Sequence, residues 1–348
     1  MRVAITGATG FTGGHTLREL LASGHEPVAL IRTKEKLERV KRLHGLPDID
    51  SVTGDITNRE TIQELVDGCD AIIHTAAVTA TGKKSIPLIK ETNAVGSRNV
   101  LEIAAQAALD PIVYVSSQSV LHPPPDGIYT SSCPISPIPL GSYAESKAEG
   151  EAIARSLQDN GCPVVIVWPS GIIGPDDVGV SVAANGIARL LKGPILPLPQ
   201  NGGILMHDVR DLAEVLVRCL EPGLGPRKYG VFGHYLNWED TAIFLNEITG
   251  RKLKVVRLPD FVFHALGRLG DFLGNANIKF PLDLATSRFM TSLVPGDDRD
   301  TRDSLGIQWL PLSRSFSDTL LWLNKNGLLS GKSIPALLQQ GDSKGWVK

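Results

Sequence analysis

The first thirteen residues restrict the fold of this chain more than any other stretch. Arg2–Thr6 is a short apolar run typical of a buried strand, and Gly7, Gly10 and Gly13 follow it directly. A helical pattern then continues to Ser23. A strand, a glycine-rich turn and a helix in this order can cradle a pyrophosphate, because glycines allow close approach of the backbone and the helix N-terminus offers free N–H groups. The chain is therefore expected to begin with a dinucleotide-binding unit.

The residues at the end of the second predicted strand indicate whether the bound dinucleotide is NAD or NADP. Val28–Ile31 reads as a strand and ends at Arg32, with Lys34 close by and no acid before Glu35. A fold that selects NAD usually places a carboxylate here for the ribose 2′-hydroxyl. An arginine suits a 2′-phosphate instead. We therefore expect NADP, and NAD less readily.

Further strands alternate with helices and predict a doubly wound α/β sheet. Asp55 follows the third strand and either contacts the adenine or only orders its turn. Small residues at 75–77 follow the fourth strand and would let the cofactor lie against the strand ends. The fifth strand ends in Ser116-Ser117, where open α/β sheets bind ligands. A proline-rich loop over residues 121–140 comes next, and loops of this length are usually functional.

Tyr143 and Lys147 are four residues apart in a predicted helix, so their side chains share one face. A nearby ammonium favours phenolate over phenol and so lowers the pKa of tyrosine from its usual value of about 10. A tyrosine of this kind can donate a proton to a carbonyl oxygen or take one from an alcohol. The pair predicts acid–base chemistry only together with the surrounding motifs.

Composition limits the classes of partner. The chain has 348 residues with a formal net charge of −2, so no nucleic-acid partner is expected. No uninterrupted apolar run reaches the length of a membrane span. The cysteines show no metal-ligand spacing and are expected to be reduced thiols, which favours a cytoplasmic protein without a metal site; they are Cys69, Cys133, Cys162 and Cys219.

The regular alternation of strands and helices ends near residue 173. We expect a nucleotide-binding domain at 1–173, with segments near 204–233 returning to it, and a smaller substrate-binding lobe made mainly of 174–203 and 234–348. An apolar stretch at 261–273 is interpreted as a lobe helix on the substrate pocket. A membrane-surface or partner helix is the alternative interpretation.

Four motifs stand in order on the chain and together resemble the extended short-chain dehydrogenase/reductase superfamily, also described as the NAD-dependent epimerase/dehydratase family. They are Thr6-Gly7-Ala8-Thr9-Gly10-Phe11-Thr12-Gly13, Val115-Ser116-Ser117, Tyr143-x-x-x-Lys147 and Trp168-Pro169-Ser170-Gly171-Ile172-Ile173-Gly174-Pro175. The resemblance covers nearly the whole chain. It implies a Rossmann-like, mostly parallel seven-stranded sheet with a smaller C-terminal lobe.

The resemblance also implies roles for individual residues. Tyr143 would be the acid/base, Lys147 would tune its pKa and bind the ribose, and Ser117 would hold the substrate oxygen. Ser116 competes with Ser117, and Val120, three residues later, selects Ser117 by the family pattern. The expected cofactor-binding residues are Thr6, Gly7, Gly10, Phe11, Thr12, Gly13, Arg32, Asp55, Ile56, Thr75, Ala76, Ala77, Asn93, Ser116, Tyr143, Lys147, Pro169, Ser170, Gly171 and Ile172.

Two positions depart from the family pattern: Trp168 stands where many relatives have arginine, and Arg210 where many have aspartate. Within the superfamily the chain looks closest to reductases resembling dihydroflavonol 4-reductase and 3β-hydroxysteroid dehydrogenase. A hydrophobic ketone or alcohol is the expected substrate. The alternatives are a nucleotide-sugar epimerase and a non-catalytic NADP-binding regulator. A 4,6-dehydratase is disfavoured, because Ser117-Gln118-Ser119 offers no carboxylate. Helices near 87–108 and 142–159 resemble those that pair in homodimers of the family.

Overall fold

The computed structural model of the protein describes residues 1–79, 85–275, 278, 280 and 282–344. The chain forms two compact units, each built from several segments. The first contains Met1–Ser170, Val209–Phe232 and Asp297–Gln308, and the second contains Gly171–Asp208, Gly233–Gly296 and the chain from Trp309 onward.

The strands in chain order are β1 (Arg2–Thr6), β2 (Glu26–Ile31), β3 (Asp50–Thr53), β4 (Ala71–His74), β5 (Ile112–Val115), β6 (Val164–Pro169), β7 (Gly171–Ile173), β8 (Ile195–Pro199), β9 (Gly203–Asp208), β10 (Arg227–Val231), β11 (His234–Asn237) and β12 (Lys254–Leu258). The α-helices are α1 (Phe11–Ala22), α2 (Lys34–His44), α3 (Arg59–Val66), α4 (Ile86–Lys90), α5 (Ser97–Gln106), α6 (Gly141–Asp159), α7 (Val182–Leu190), α8 (Val209–Arg218), α9 (Trp238–Thr249), α10 (Asp260–Asn275), α11 (Leu284–Ser292), α12 (Arg299–Leu305), α13 (Leu312–Lys325) and α14 (Pro335–Lys344).

The first unit is built on a seven-stranded parallel sheet with the order β10-β6-β5-β4-β1-β2-β3. Every residue of β4, β5 and β6 is buried, which is the pattern of central strands covered on both faces. Residues of β3, at the edge, are mostly exposed. The predicted Rossmann-like, seven-stranded α/β fold is confirmed, and the sheet is wholly parallel.

The helix predicted near residues 87–108 is present but not regular. A π-helical segment, Glu91–Gly96, joins α4 to α5. Short π segments inside α-helices occur frequently at functional sites. Asn93, one of the expected cofactor-binding residues, lies within this segment.

The second unit has its own core. Its three-stranded sheet has the order β11-β9-β7, and β12 pairs with β8 in a separate two-stranded sheet. Buried side chains of α9 and α13, including Trp238, Phe316 and Leu320, form a hydrophobic cluster with Ile204 of β9. The burial of these apolar side chains stabilises the unit.

The boundaries between the units differ from the predicted ones. β9 pairs with β7 and β11 in the second unit, so only residues 209–232 of the predicted returning segment belong to the first. The segment Asp297–Gln308 also belongs to the first unit, where Asp298 Oδ2 accepts the Phe232 N–H at 3.0 Å. Strand periodicity alone does not reveal which sheet a strand joins.

The apolar stretch at 261–273 lies in α10, which packs on the segment before α11 through a glycine. A Cβ added to Gly270 would lie 1.8 Å from the Leu282 carbonyl oxygen, so only glycine allows this approach. Phe263 is buried, whereas Phe261 and Phe272 are 72% and 70% exposed. No helix among the described residues combines the length and apolar character needed to cross a membrane.

Candidate active site

The glycine turn after β1 has the geometry that its sequence predicts. Gly7 has a φ of +75°, and its carbonyl oxygen accepts the Gly10 N–H at 2.9 Å. A Cβ on Gly13 would lie 2.1 Å from that same oxygen. Only glycine therefore permits α1 to start this close to the turn.

The N-terminus of α1 fits an anionic group. Gly10 is its N-cap and provides no side-chain cap, and the described first turn contains no acid. The first-turn amides of a helix lack intrahelical acceptors and attract anions. Phe11 and Thr12, in this turn, are half-buried. These residues therefore fit the pyrophosphate of a dinucleotide.

The ends of β1 and β4 are tied together beside this turn. Thr75 Oγ1 donates to the Thr6 carbonyl oxygen at 2.8 Å, and Thr6 Oγ1 lies 2.6 Å from His74 Nδ1. Ala76 is half-buried and Ala77 exposed. Burial and the charge of Lys147 lower the pKa of His74 to about 3, so this histidine is neutral. Thr6 is completely buried, so its side chain orders the strand ends.

Arg32 follows β2 directly and is exposed. Within the described part of the chain its side chain makes no hydrogen bond or ion pair. Asp55 Oδ1 accepts two hydrogen bonds from Thr57, at 3.0 Å from its N–H and 2.9 Å from its hydroxyl, so Asp55 orders its own turn. Ile56 is buried. Arg32 thus remains available to a ligand, and the Oδ1 atom of Asp55 does not.

Tyr143 and Ser117 are brought together from α6 and the end of β5. Tyr143 is half-buried, and burial raises the pKa of its phenol while a hydrogen bond with Ser117 lowers it. Ser117 Oγ also accepts the Ser119 N–H at 3.2 Å. The net direction is upward, opposite to the expected effect of a nearby ammonium. The reason is that burial raises the pKa of Tyr143 more than the hydrogen bond with Ser117 lowers it.

Lys147 lies one helical turn beyond Tyr143 and is only 2% exposed. Its Nζ donates to the Val115 carbonyl oxygen at 2.5 Å and lies 4.6 Å from the centroid of the Tyr114 ring. Burial lowers the pKa of Lys147 to about 7, and the charge of Glu151 opposes this shift. The site therefore contains a buried amine that titrates near neutral pH.

The structure separates the two candidate serines. Ser116 is 2% exposed, and its hydroxyl donates to Glu151 Oε2 at 2.5 Å. Ser117, whose side chain lies on the opposite side of the strand end, interacts with Tyr143. The hydroxyl of Ser116 is thus hydrogen-bonded to Glu151, although this residue was expected to contact the cofactor.

Asn93 also has partners within the protein. Its amide nitrogen donates to the Val78 carbonyl oxygen at 3.0 Å and to Ser146 Oγ at 3.1 Å, and its oxygen accepts the Val78 N–H at 2.7 Å. Both amide hydrogens are therefore used. Asn93 braces the segment after β4 against α6, and little of its side chain is left for a cofactor.

The last four expected cofactor residues fall in different units. Pro169 ends β6 and is buried, and the Ser170 N–H donates to the Val231 carbonyl oxygen at 3.0 Å. Gly171 and Ile172 belong to β7 of the second unit.

One functional candidate, Glu151, was missed by sequence reasoning. Tyr143, Lys147, Glu151 and Arg155 follow one another at intervals of four residues and so lie along one side of α6. This periodicity was the available signal, because it extends the face that carries Tyr143 and Lys147.

A parallel sheet with a glycine turn after its first strand and a tyrosine–lysine pair on α6 defines an NAD(P)-dependent α/β enzyme. Residues 3–231 match the NAD dependent epimerase/dehydratase family, and the chain belongs to that family.

Two curated relatives illustrate the range of the family. A putative dihydroflavonol 4-reductase from Synechocystis is 34% identical over 60% of this chain and 60% of its own length. A 4-hydroxy-2-methyl-3-oxo-4-farnesyl-3,4-dihydroquinoline-1-oxide ketoreductase from Stigmatella aurantiaca is 31% identical over 79% of this chain and 81% of its own. The reductase resemblance drawn from the motifs is confirmed.

Among solved structures, the UDP-glucose 4-epimerase of Bifidobacterium longum, in complex with NAD+ and UDP, has a similar fold. The TM-score is 0.70 at 18% identity, covering 94% of this chain and 99% of that one. At this identity the similarity concerns the fold alone.

Proposed function

We propose that this protein is an NADP(H)-dependent oxidoreductase that interconverts a carbonyl and a secondary alcohol on a small hydrophobic substrate. The observation that carries the proposal is the pairing of Tyr143 with Ser117, with Lys147 one turn along the same helix. When bound, the nicotinamide supplies or accepts the hydride. The residues of the chain position the substrate oxygen and move its proton.

Each residue of the catalytic group has a separate task in this proposal. Tyr143 transfers a proton to or from the substrate oxygen, and Ser117 hydrogen-bonds to the same oxygen and so orients the carbonyl. Lys147 provides the positive charge that favours tyrosinate and a hydrogen-bond donor for the ribose. Burial keeps Tyr143 protonated in the protein alone, and the protonated phenol is the form that a reduction consumes.

The choice of NADP depends on the N-terminal end of α2. Arg32 is exposed and lacks a side-chain partner among the described residues, and the N-cap residue Thr33 makes no side-chain cap bond. A free guanidinium and an open helix N-terminus both attract a 2′-phosphate. We propose that the first unit binds the nucleotide and that the second contributes the substrate-binding residues.

A hydrophobic substrate is supported by the Stigmatella relative, whose named substrate carries a farnesyl chain and whose named activity is ketoreduction. The alternative is a nucleotide-sugar epimerase, which is supported by a UDP-glucose 4-epimerase of Bacillus subtilis that is 30% identical over 64% of this chain. An epimerase would return the cofactor to its starting redox state, whereas a ketoreductase would consume it.

This difference provides the test. Purified protein would be incubated with NADPH and a panel of aromatic, steroid and acyl ketones, and then with nucleotide sugars, with the Tyr143→Phe variant as background. Oxidation of NADPH coupled to formation of the alcohol is the expected result. Epimerisation of a UDP-sugar without net change in cofactor would instead assign the protein to the epimerases.

A further inference from the structure

Glu151 is a fully buried carboxylate with four hydrogen bonds and no assigned role. Its Oε1 accepts from Arg155, at 2.9 Å from Nε and 2.6 Å from Nη2. Its Oε2 accepts from Trp168 Nε1 at 2.7 Å and from Ser116 Oγ at 2.5 Å. Donors from α6, from β6 and from the residue after β5 therefore meet at one side chain, which is 0% exposed.

We propose that Glu151 is a positioning residue of the catalytic group. Its carboxylate holds Ser116 against α6, so that Ser117 alone reaches Tyr143, and its negative charge, one helical turn from Lys147, favours the cationic form of that amine. The inference rests on the proposed function for the tasks of Tyr143, Ser117 and Lys147. It adds Glu151 as the group that fixes the direction of the Ser117 side chain and favours the charged form of Lys147.

The effect on the serines follows from strand geometry. Neighbouring residues at a strand end project to opposite sides, so fixing Ser116 also fixes the direction of Ser117. Trp168 stabilises the carboxylate from the adjacent strand β6, which pairs with β5 in register. Arg155, 21% exposed, adds a second anchor because its Nη2 also donates to the Cys133 carbonyl oxygen at 3.1 Å.

The effect on Lys147 follows from the absence of other anions near it in the described structure. His74 faces it from β4 and is neutral, and burial raises the pKa of Tyr114 on β5, so this phenol is also neutral. Tyr143, on the same helix, has a raised pKa as well. Among the described residues, Glu151 is thus the carboxylate whose charge favours the charged form of Lys147, with Arg155 partly offsetting it.

The charge role is tested on the protein alone, without cofactor or substrate. In ¹⁵N-lysine-labelled protein, the Nζ signal of Lys147 is assigned by its loss in Lys147→Met and followed against pH. Glu151→Gln keeps the shape of the side chain but not its charge, so the midpoint should fall by about one pH unit from the parental value near 7. Glu151→Asp keeps the charge and should stay near the parental midpoint. An unchanged midpoint in folded Glu151→Gln would overturn this role.

The positioning role is tested by a double-mutant cycle on a confirmed substrate. Ser116→Ala should lower turnover less than Ser117→Ala, and it should cost nothing further in a Ser117→Ala background, because Ser116 acts through Ser117. Additive losses would overturn this role, and they would be measurable even if Glu151→Gln failed to fold. Since the lysine titration needs no reaction, it remains decisive if the proposed function itself is wrong.

Discussion

Asn93 in the π segment donates a hydrogen bond to Ser146 Oγ on α6 at 3.1 Å, although 53 residues separate them. Ser146 in turn donates to the Tyr143 carbonyl oxygen at 2.8 Å. This relay connects an irregular turn of one helix with the backbone of the proposed catalytic tyrosine. It gives Asn93 a structural connection to the site without contact with a substrate.

Replacement of Asn93 by Ala should therefore affect stability and turnover together. We expect a loss of about 1–3 kcal/mol in the free energy of unfolding, because the half-buried Val78 N–H and carbonyl oxygen lose their partner, and a several-fold fall in turnover because Ser146 loses its support. Urea denaturation and steady-state kinetics measure the two effects. Gln158→Ala is the matched control: it removes the hydrogen bonds that the side-chain amide at the far end of α6 donates to the Val164 and Arg227 carbonyl oxygens, and it should lower stability only. Equal turnover in the two variants would contradict the relay.

Removal of the Tyr143 hydroxyl should abolish most of the catalysis. General acid–base assistance is typically worth about 10²–10⁴ in rate, so Tyr143→Phe should lose at least about a hundredfold in turnover while NADPH binding, followed by fluorescence, stays near the parental value. Ser117→Ala should lose less, because the proton donor remains. A Tyr143→Phe variant as active as the parent would eliminate the mechanism.

The charge of residue 32 should determine cofactor preference. We expect NADPH to bind more tightly than NADH, and Arg32→Asp to reverse this order, because a carboxylate repels a 2′-phosphate and suits a 2′-hydroxyl. Lys36→Asp, a comparable charge change at an exposed position of α2, is the control and should keep the preference. Fluorescence titration with both cofactors measures the result, and equal parental affinities would refute the NADP assignment.

A single methyl group should disable the glycine turn. Gly13→Ala places a Cβ 2.1 Å from the Gly7 carbonyl oxygen, so either α1 or the turn must move and NADPH affinity should fall sharply. Gly186→Ala, in α7 with open space around it, should leave affinity unchanged. Titration of NADPH against both variants checks this, and normal binding by Gly13→Ala would show that the turn does not hold the cofactor.

Buried His74 should make the protein sensitive to acid. Its pKa is about 3 in the folded protein and about 6.5 when unfolded, so between these values only the unfolded state binds the proton and stability falls as the pH falls. Each pKa unit is worth about 1.4 kcal/mol, so the loss approaches about 5 kcal/mol by pH 3. His74→Gln should reduce the slope of unfolding free energy against pH below 6.5, and the part that remains is expected from His122 and His207, whose pKa values burial also lowers. An unchanged slope would exclude His74 as its source.

The fold could be predicted because its signals are local. The buried strand Arg2–Thr6, the glycine turn and the alternation of strands with helices each require only neighbouring residues. The choice of Ser117 over Ser116 as the pocket serine stays a prediction, and the contact that supports it, between Ser116 and Glu151, joins residues 35 positions apart.

The sequence alone could not reveal which residues far apart in the chain contact one another. Asn93 has the polarity of a ligand-binding residue. Only the structure reveals that its side-chain amide donates both of its hydrogens, one to Val78 and one to Ser146. Glu151 reads as a solvated helix residue because its burial depends on Trp168 in a strand. β9 has the pattern of a strand, but its pairing with β11 is a tertiary property.

The discontinuous first unit has a consequence for synthesis on the ribosome. β10 covers the edge of β6, yet it is made only after the β7–β9 part of the second unit, and Asp297–Gln308 follows later still. Chains grow at about 5–20 residues per second. During that interval the apolar run Val164–Val167 is an open sheet edge on the nascent chain, where pairing with other chains leads to aggregation. The growing polypeptide therefore has its greatest need of chaperone protection between the emergence of β6 and that of β10.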